Sequence, residues 1–219
     1  LIAKDKKAWL ALIAGLFLTL SYAPYNLWYI AFLSLGILIY CINPQANGKS
    51  ATKQSAKYGF IFGLGWFGAG ISWVHVSIAT FGGMPLIASI SLMVLLCAYL
   101  ALYPALAAWL TTRLAKGPYS FICLLLANFA VTEYLRGTLL TGFPWLSFGY
   151  TQTDSPLNFL APVIGEFGIT LVCVLIAFSL FRLLGKDIKP LIGSVTLLAG
   201  LYVIASNSAL QYQDKTIKT

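Results

Sequence analysis

The chain has 219 residues, 59% of them hydrophobic and 9% charged, with a formal net charge of +8 and a mean hydropathy of +0.85. Soluble domains carry about a quarter charged residues, so this composition excludes an ordinary water-soluble fold and indicates an integral membrane protein. The positive balance does not point to nucleic acid, because the cations lie in short stretches between apolar runs, where they report topology.

Backbone inside lipid must satisfy its own hydrogen bonds, which leaves helices or a closed barrel. The apolar runs are roughly 16 to 25 residues long and lack period-two alternation. The expected fold is therefore all-α, a polytopic bundle of about seven transmembrane helices.

Lys4-Asp5-Lys6-Lys7 leads into the first apolar run, Ala8–Tyr22. A signal peptide also begins with basic residues and a short apolar core. No small-x-small cleavage site follows, however, and a second run, Leu27–Ile42, comes at once. A helical hairpin turning at Pro24 is expected. Asn43–Lys57 is polar, and the third span is expected at Tyr58–Ser77, ending in the loop Thr80–Pro85. The fourth is Leu86–Leu110 and the fifth Tyr119–Leu135, closed by Arg136. After Gly137–Asn158 comes a sixth, Phe159–Leu184, with Pro162 in its first turn. Leu191–Ser206 makes the seventh.

Lysines and arginines divide unevenly between alternate connections. One side holds Lys4, Lys6, Lys7, Lys49, Lys53, Lys57, Arg113, Lys116, Arg182, Lys186 and Lys189, and the other only Arg136, Lys215 and Lys218. This bias predicts a cytoplasmic N-terminus and an outward C-terminus. Residues 1–210 then form the transmembrane domain, and 211–219 begin an extension on the outer side. Thr216–Thr219 alternates like the start of a strand.

The polar chemistry concentrates between Glu133 and Tyr150. Glu133 and Arg136 are three residues apart, so they share a helix face. They can form an ion pair at the membrane boundary, and the planar guanidinium can also meet a lipid phosphate; one arginine can do both. Gly142-Phe143-Pro144-Trp145 predicts irregular backbone, which at this depth must border protein or water. Trp145 fits either an interfacial anchor or the lining of a lipid groove.

Gly59 and Gly63 form a GxxxG pair, and Gly65, Gly68 and Ser72 share a face, a pattern that serves close helix packing or leaves room for an acyl chain. His75, the one histidine, near the outer end, reads as a hydrogen-bonded interfacial residue or a general base. Glu166 falls in the first turns of the sixth span, where the helix dipole favours a carboxylate. Cys41, Cys97, Cys123 and Cys173 lack metal-like spacing and read as small apolar fillers. No cofactor or metal site is expected, and no catalytic set can be assembled from these residues.

Several stretches resemble bacterial apolipoprotein N-acyltransferase: Ala23-Pro24-Tyr25, Phe62–Ser77, Thr80-Phe81-Gly82-Gly83, Glu133–Gly137, Leu140–Tyr150 with Gln152 and Asp154-Ser155-Pro156, and Ala161-Pro162. They follow the family's order over nearly the whole chain, and Thr141–Trp145 is the most specific. The resemblance implies a multi-pass protein of the bacterial inner membrane that moves an acyl chain from a phospholipid to the amino group of a lipoprotein's lipid-modified N-terminal cysteine. It also implies a periplasmic nitrilase-like domain after the seventh helix, with a glutamate, lysine and cysteine triad and a thioester intermediate. Asp214-Lys215-Thr216-Ile217 resembles the beginning of that domain's first strand.

No triad residue can be carried onto this chain, so the 219 residues alone are expected to be inactive and the catalytic residues to lie outside them. The expected partners are a phospholipid donor, a lipoprotein acceptor and the nitrilase-like domain of the same protein, with no nucleic acid. Phospholipid tails are expected near the third and fourth spans, with Trp73, His75, Phe143 and Trp145 near the opening and Arg136 also binding lipid. A standalone lipid-binding or lipid-transport protein of the same fold is the alternative. An ion channel or pump would need more ionisable groups at mid-depth than Glu133, Arg136 and Glu166 provide.

Overall fold

The computed structural model describes residues 5–42 and 49–211. Their regular elements are all helical: α1 (Lys6–Leu18), α2 (Tyr29–Ile42), α3 (Lys49–Gly70), α4 (Val74–Gly82), α5 (Leu86–Leu114), α6 (Pro118–Thr138), α7 (Ala161–Leu184) and α8 (Lys189–Gln211). Short 3-10 helices cover Thr19–Ser21, Leu139–Thr141, Phe148–Gln152 and Pro156–Leu160. Of the expected polar connection Asn43–Lys57, residues 49–57 form the first turns of α3. Residues 43–48, and the extension after Gln211 with its strand-like end, lie outside the described residues.

Four stretches are long and apolar enough to cross a membrane: Leu86–Leu114, Pro118–Thr141, Pro156–Leu184 and Lys189–Ser206. A fifth is added if Ser50–Gly70 and Val74–Gly82 act as one bent span. α1 and α2, of 13 and 14 residues, are shorter than the ~20 residues of a straight crossing. The expected count of about seven includes these two.

The third span departs most from expectation. Instead of one helix over Tyr58–Ser77, α3 ends at Gly70 and α4 resumes at Val74, with a bend of 52° between them. Gly68, Gly70 and Ser72 are weak helix formers clustered in one turn. The Ser72 hydroxyl donates to the Ala69 carbonyl (3.2 Å), and His75 Nδ1 binds the Ser72 carbonyl. Local bonds of this kind replace the helical ladder.

α3 is the central element. A methyl on Gly59 would lie 2.5 Å from the Pro104 carbonyl oxygen, and one on Gly63 would lie 2.7 Å from Ala101 Cα, so α3 and α5 run antiparallel in close contact. Gly15 and Gly65 meet the backbones of α3 and α1 in the same way. The small-residue pattern therefore serves packing, except at Gly68, which faces open space, and Ser72, which is exposed. Lipid offers no hydrophobic drive between helices, so such backbone approach is what holds them. Cys41, Cys97 and Cys173 are buried in this packing as expected; Cys123 is exposed on α6.

The hairpins alternate between two ends of the bundle. At one end Lys57 Nζ pairs with Asp5 (2.7 Å), Asp5 caps α1 through the Ala8 amide (3.2 Å), and Ser55 donates to the Ile42 carbonyl (3.2 Å). At the other end Tyr22 donates to the Leu146 carbonyl (2.9 Å), and Gln152 to the Trp28 carbonyl (3.3 Å). The antiparallel order carries the α5–α6 and α7–α8 turns to the Asp5 end. That end therefore holds every described lysine and arginine but Arg136.

Candidate functional site: the segment clasped by Arg136

α6 presents Phe129, Thr132, Glu133 and Arg136 to the interior. Glu133 and Arg136 are 5% and 2% exposed. Arg136 Nη2 donates to Glu133 Oε2 at 2.7 Å and Nε to Oε1 at 3.3 Å, a two-point pair along one helix face. Nη1 leaves the helix and donates to the carbonyls of Phe143 (2.6 Å) and Trp145 (2.7 Å). The guanidinium carbon lies 6.0 Å from the Trp66 ring centre and 5.8 Å from that of Phe67, both on α3. Ser147 completes the set by donating to Glu133 Oε2 (3.3 Å). One buried arginine thus ties α6 to α3 and to the segment that follows α6.

That segment needs such a tie. Leu140, Thr141 and Leu146 all have positive φ (51°, 75° and 58°), a region side chains disfavour unless their surroundings impose it. Gly142, at φ 79°, is required for space as well: a Cβ there would lie 2.0 Å from the Gly137 carbonyl oxygen. The Phe143 amide donates to the Arg136 carbonyl (2.7 Å), closing the turn from both sides of the same residue. Phe148 then packs edge-on to Trp66, with ring centres 5.6 Å apart.

The backbone is held, but the tips face outward. Trp145 is 58% exposed and lies 5.2 Å from the half-buried Phe143 ring. Leu139 and Leu140 are exposed beside them, as are Trp73, Phe81 and Ile87 on the α4–α5 side. The result is a polar clasp inside and an apolar rim outside, at the end of the bundle that lacks exposed cations among the described residues.

A family model described as the apolipoprotein N-acyltransferase N-terminal domain matches residues 14–179, which include the whole clasp. The chain belongs to the apolipoprotein N-acyltransferase family. Proteins named apolipoprotein N-acyltransferase from Photobacterium profundum, Vibrio cholerae and Shewanella oneidensis are 47%, 46% and 39% identical to it, over 87%, 78% and 95% of this chain. The matches cover 36%, 33% and 40% of those relatives, so the chain spans roughly a third to two fifths of their length.

In this member of the family the structure brings together four of the residues singled out from sequence: Glu133, Arg136, Phe143 and Trp145. Trp73 and His75 lie apart, at the α3–α4 break. Gly70, three residues before Trp73, touches the segment, and a Cβ on it would meet Leu146 Cδ1 at 2.3 Å. Sequence reasoning missed Trp66, Phe67, Ser147 and Tyr22. Trp66 and Phe67 stand within the glycine-rich run of α3, where a buried aromatic pair facing a cation was the available signal. Ser147 and Tyr22 carried none.

Glu166 lies near the start of α7 for a reason the sequence did not show. Gly165 adopts φ 63°, ψ −175° and breaks the helix just before it, and a Cβ on Gly149 would meet the Glu166 carbonyl at 2.2 Å. The Glu166 carboxylate beside Tyr150 pushes that phenol above its usual range.

Proposed function

We propose that this chain is the membrane part of an enzyme that takes an acyl chain from a phospholipid and transfers it to the amino group of a lipoprotein's lipid-modified N-terminal cysteine. The observation that carries this reading is the family match over residues 14–179. In this reading residues 1–210 cross the bacterial inner membrane about seven times, with the N-terminus in the cytoplasm. A periplasmic nitrilase-like portion of the same protein supplies the nucleophile, and the chain's own residues hold the lipid.

The geometry supports a division of labour within the site. Arg136 spends donors on Glu133, Phe143 and Trp145 and is buried, so its role is to position the segment rather than to meet a phosphate. Phe143 and Trp145 are the residues that touch lipid, because their carbonyls are fixed while their rings face outward. Trp73, at the α3–α4 break, and His75, in the first turn of α4, form the opposite wall of the opening. Tails bind through buried methylenes at about 0.8 kcal/mol each, which favours length and not identity. Discrimination between donors therefore falls to the rim.

The test uses the protein containing this chain, reconstituted with phospholipid and a diacylglyceryl-modified cysteine peptide. Trp145→Ala should slow N-acylation about tenfold, a loss of ~1.4 kcal/mol in transition-state stabilisation. Its stability should change by no more than about 0.5 kcal/mol, as for other surface substitutions. An unaltered rate removes Trp145 from the site, and lipid binding without transfer by the unmodified protein refutes the enzyme reading.

A further inference from the structure

At the opposite end of the bundle, we propose, lies a second lipid site: a groove between α2 and α7 that holds one acyl tail of an anionic phospholipid, with its phosphate between Lys7 and Lys186. The groove has a volume of about 480 Å³ and is lined by apolar side chains including Leu10, Phe32, Tyr40, Phe181 and Leu184, with Gly36 in its floor. A cavity of this size is in the range that specific small-molecule sites occupy. It spans Phe32 to Tyr40 along α2, about 12 Å at 1.5 Å per residue, enough for much of one tail.

Two features distinguish the groove from the general lipid-facing surface. Gly36 meets nothing within 4 Å where a Cβ would stand, so the missing side chain makes room rather than admitting a neighbouring helix. The cations are at one mouth only. Lys7 Nζ sits 5.0 Å from the Tyr40 ring centre and 3.5 Å from the Tyr40 carbonyl, and Lys7 lies one helical turn before the groove residue Leu10. That long bond engages one of three ammonium donors. Lys186 is exposed and two residues beyond Leu184, whereas the neighbouring Arg182 is engaged by Asp187 at 2.6 Å and 3.2 Å. An apolar trough ending at two lysines is complementary to a tail carrying an anionic head group. A phosphatidylcholine head, whose own ammonium opposes the lysines, fits less well.

This inference does not depend on the acyl-transfer reading and concerns the other face of the membrane. The experiment is native mass spectrometry of the full protein released from nanodiscs containing equal phosphatidylglycerol and phosphatidylcholine. The expected result is one retained phosphatidylglycerol beyond any donor held at the Arg136 end, at least fivefold over phosphatidylcholine. Lys7→Gln with Lys186→Gln should abolish that preference, and Gly36→Phe should remove this lipid while leaving any donor held at the Arg136 end. Lys53→Gln with Lys116→Gln, exposed cations at the same end, should leave both unchanged. Equal retention of the two lipids, or loss of preference in the Lys53/Lys116 pair as large as in the Lys7/Lys186 pair, overturns the proposal. Should Gly36→Phe fail to fold, the two lysine pairs alone decide the question.

Discussion

Replacing Arg136 with alanine removes a guanidinium that makes two bonds to Glu133 and one each to the Phe143 and Trp145 carbonyls. Removing one member of a buried ion pair costs about 3–5 kcal/mol, because the partner charge is left in a poorly solvated place. Glu133 keeps only the Ser147 hydroxyl, at 3.3 Å. The two carbonyls add about 1–3 kcal/mol each if they stay dry, but Trp145 lies at the surface and water can reach that end. The estimate for Arg136→Ala is therefore about 3–5 kcal/mol, or two to four powers of ten in the equilibrium for releasing the segment.

The assay is thermal unfolding in detergent, paired with limited proteolysis between residues 139 and 150. Arg136→Ala should lower the midpoint and open that stretch to cleavage. Glu133→Gln combined with Arg136→Ala should recover about half the loss, since the stranded charge is gone but the carbonyls remain unpaired. Arg136→Lys should fall between, because an ammonium lacks the fork that reaches carboxylate and carbonyls together. An Arg136→Ala protein with an unchanged midpoint and a protected segment refutes the clasp. If that protein also loses lipid use, Arg136 meets the head group after all.

Other expectations follow from particular contacts. Gly63→Val would press its side chain against Ala101, where a Cβ alone already lies 2.7 Å from Cα; a loss of about 1–3 kcal/mol should appear as a lower thermal midpoint. Gly165→Ala should cost a similar ~1–3 kcal/mol, since φ 63° with ψ −175° is a region only glycine visits readily. Lys57 and the Ala8 amide hold the Asp5 carboxyl below its ordinary value of 3.8. A depressed folded value means that this contribution is present above 3.8 and is lost as pH falls through the folded value. Lys57→Gln should therefore flatten the acid limb of the stability profile, by at most about 1 kcal/mol for so exposed a pair.

Much of the fold was legible because lipid permits few solutions. Apolar run length and the lack of alternation predict helices, and Pro162 marks the start of α7. The α3–α4 break is not legible, although Gly68 and Ser72 stand out in the sequence, because a glycine face signals packing as readily as a hinge. Glu133 and Arg136 could be paired from spacing alone. That Nη1 turns away to hold Phe143 and Trp145 could not, since it depends on irregular backbone with positive φ at Leu140, Thr141, Gly142 and Leu146, which has no periodicity. The cation distribution predicted which hairpins share an end, and the Asp5–Lys57 and Tyr22–Leu146 contacts agree with it.

The central claim is that the clasped segment holds phospholipid at one defined place on the bundle. A photoreactive phospholipid with its diazirine beside the glycerol ester, activated in nanodiscs containing the full protein, addresses it most directly. In the leaflet at the Arg136 end, the account predicts saturable labelling concentrated in residues 139–150 and in α4, competed by unlabelled phospholipid and weakened by Arg136→Ala. Labelling spread over all exposed spans in proportion to their lipid-facing area, and indifferent to Arg136, would contradict it.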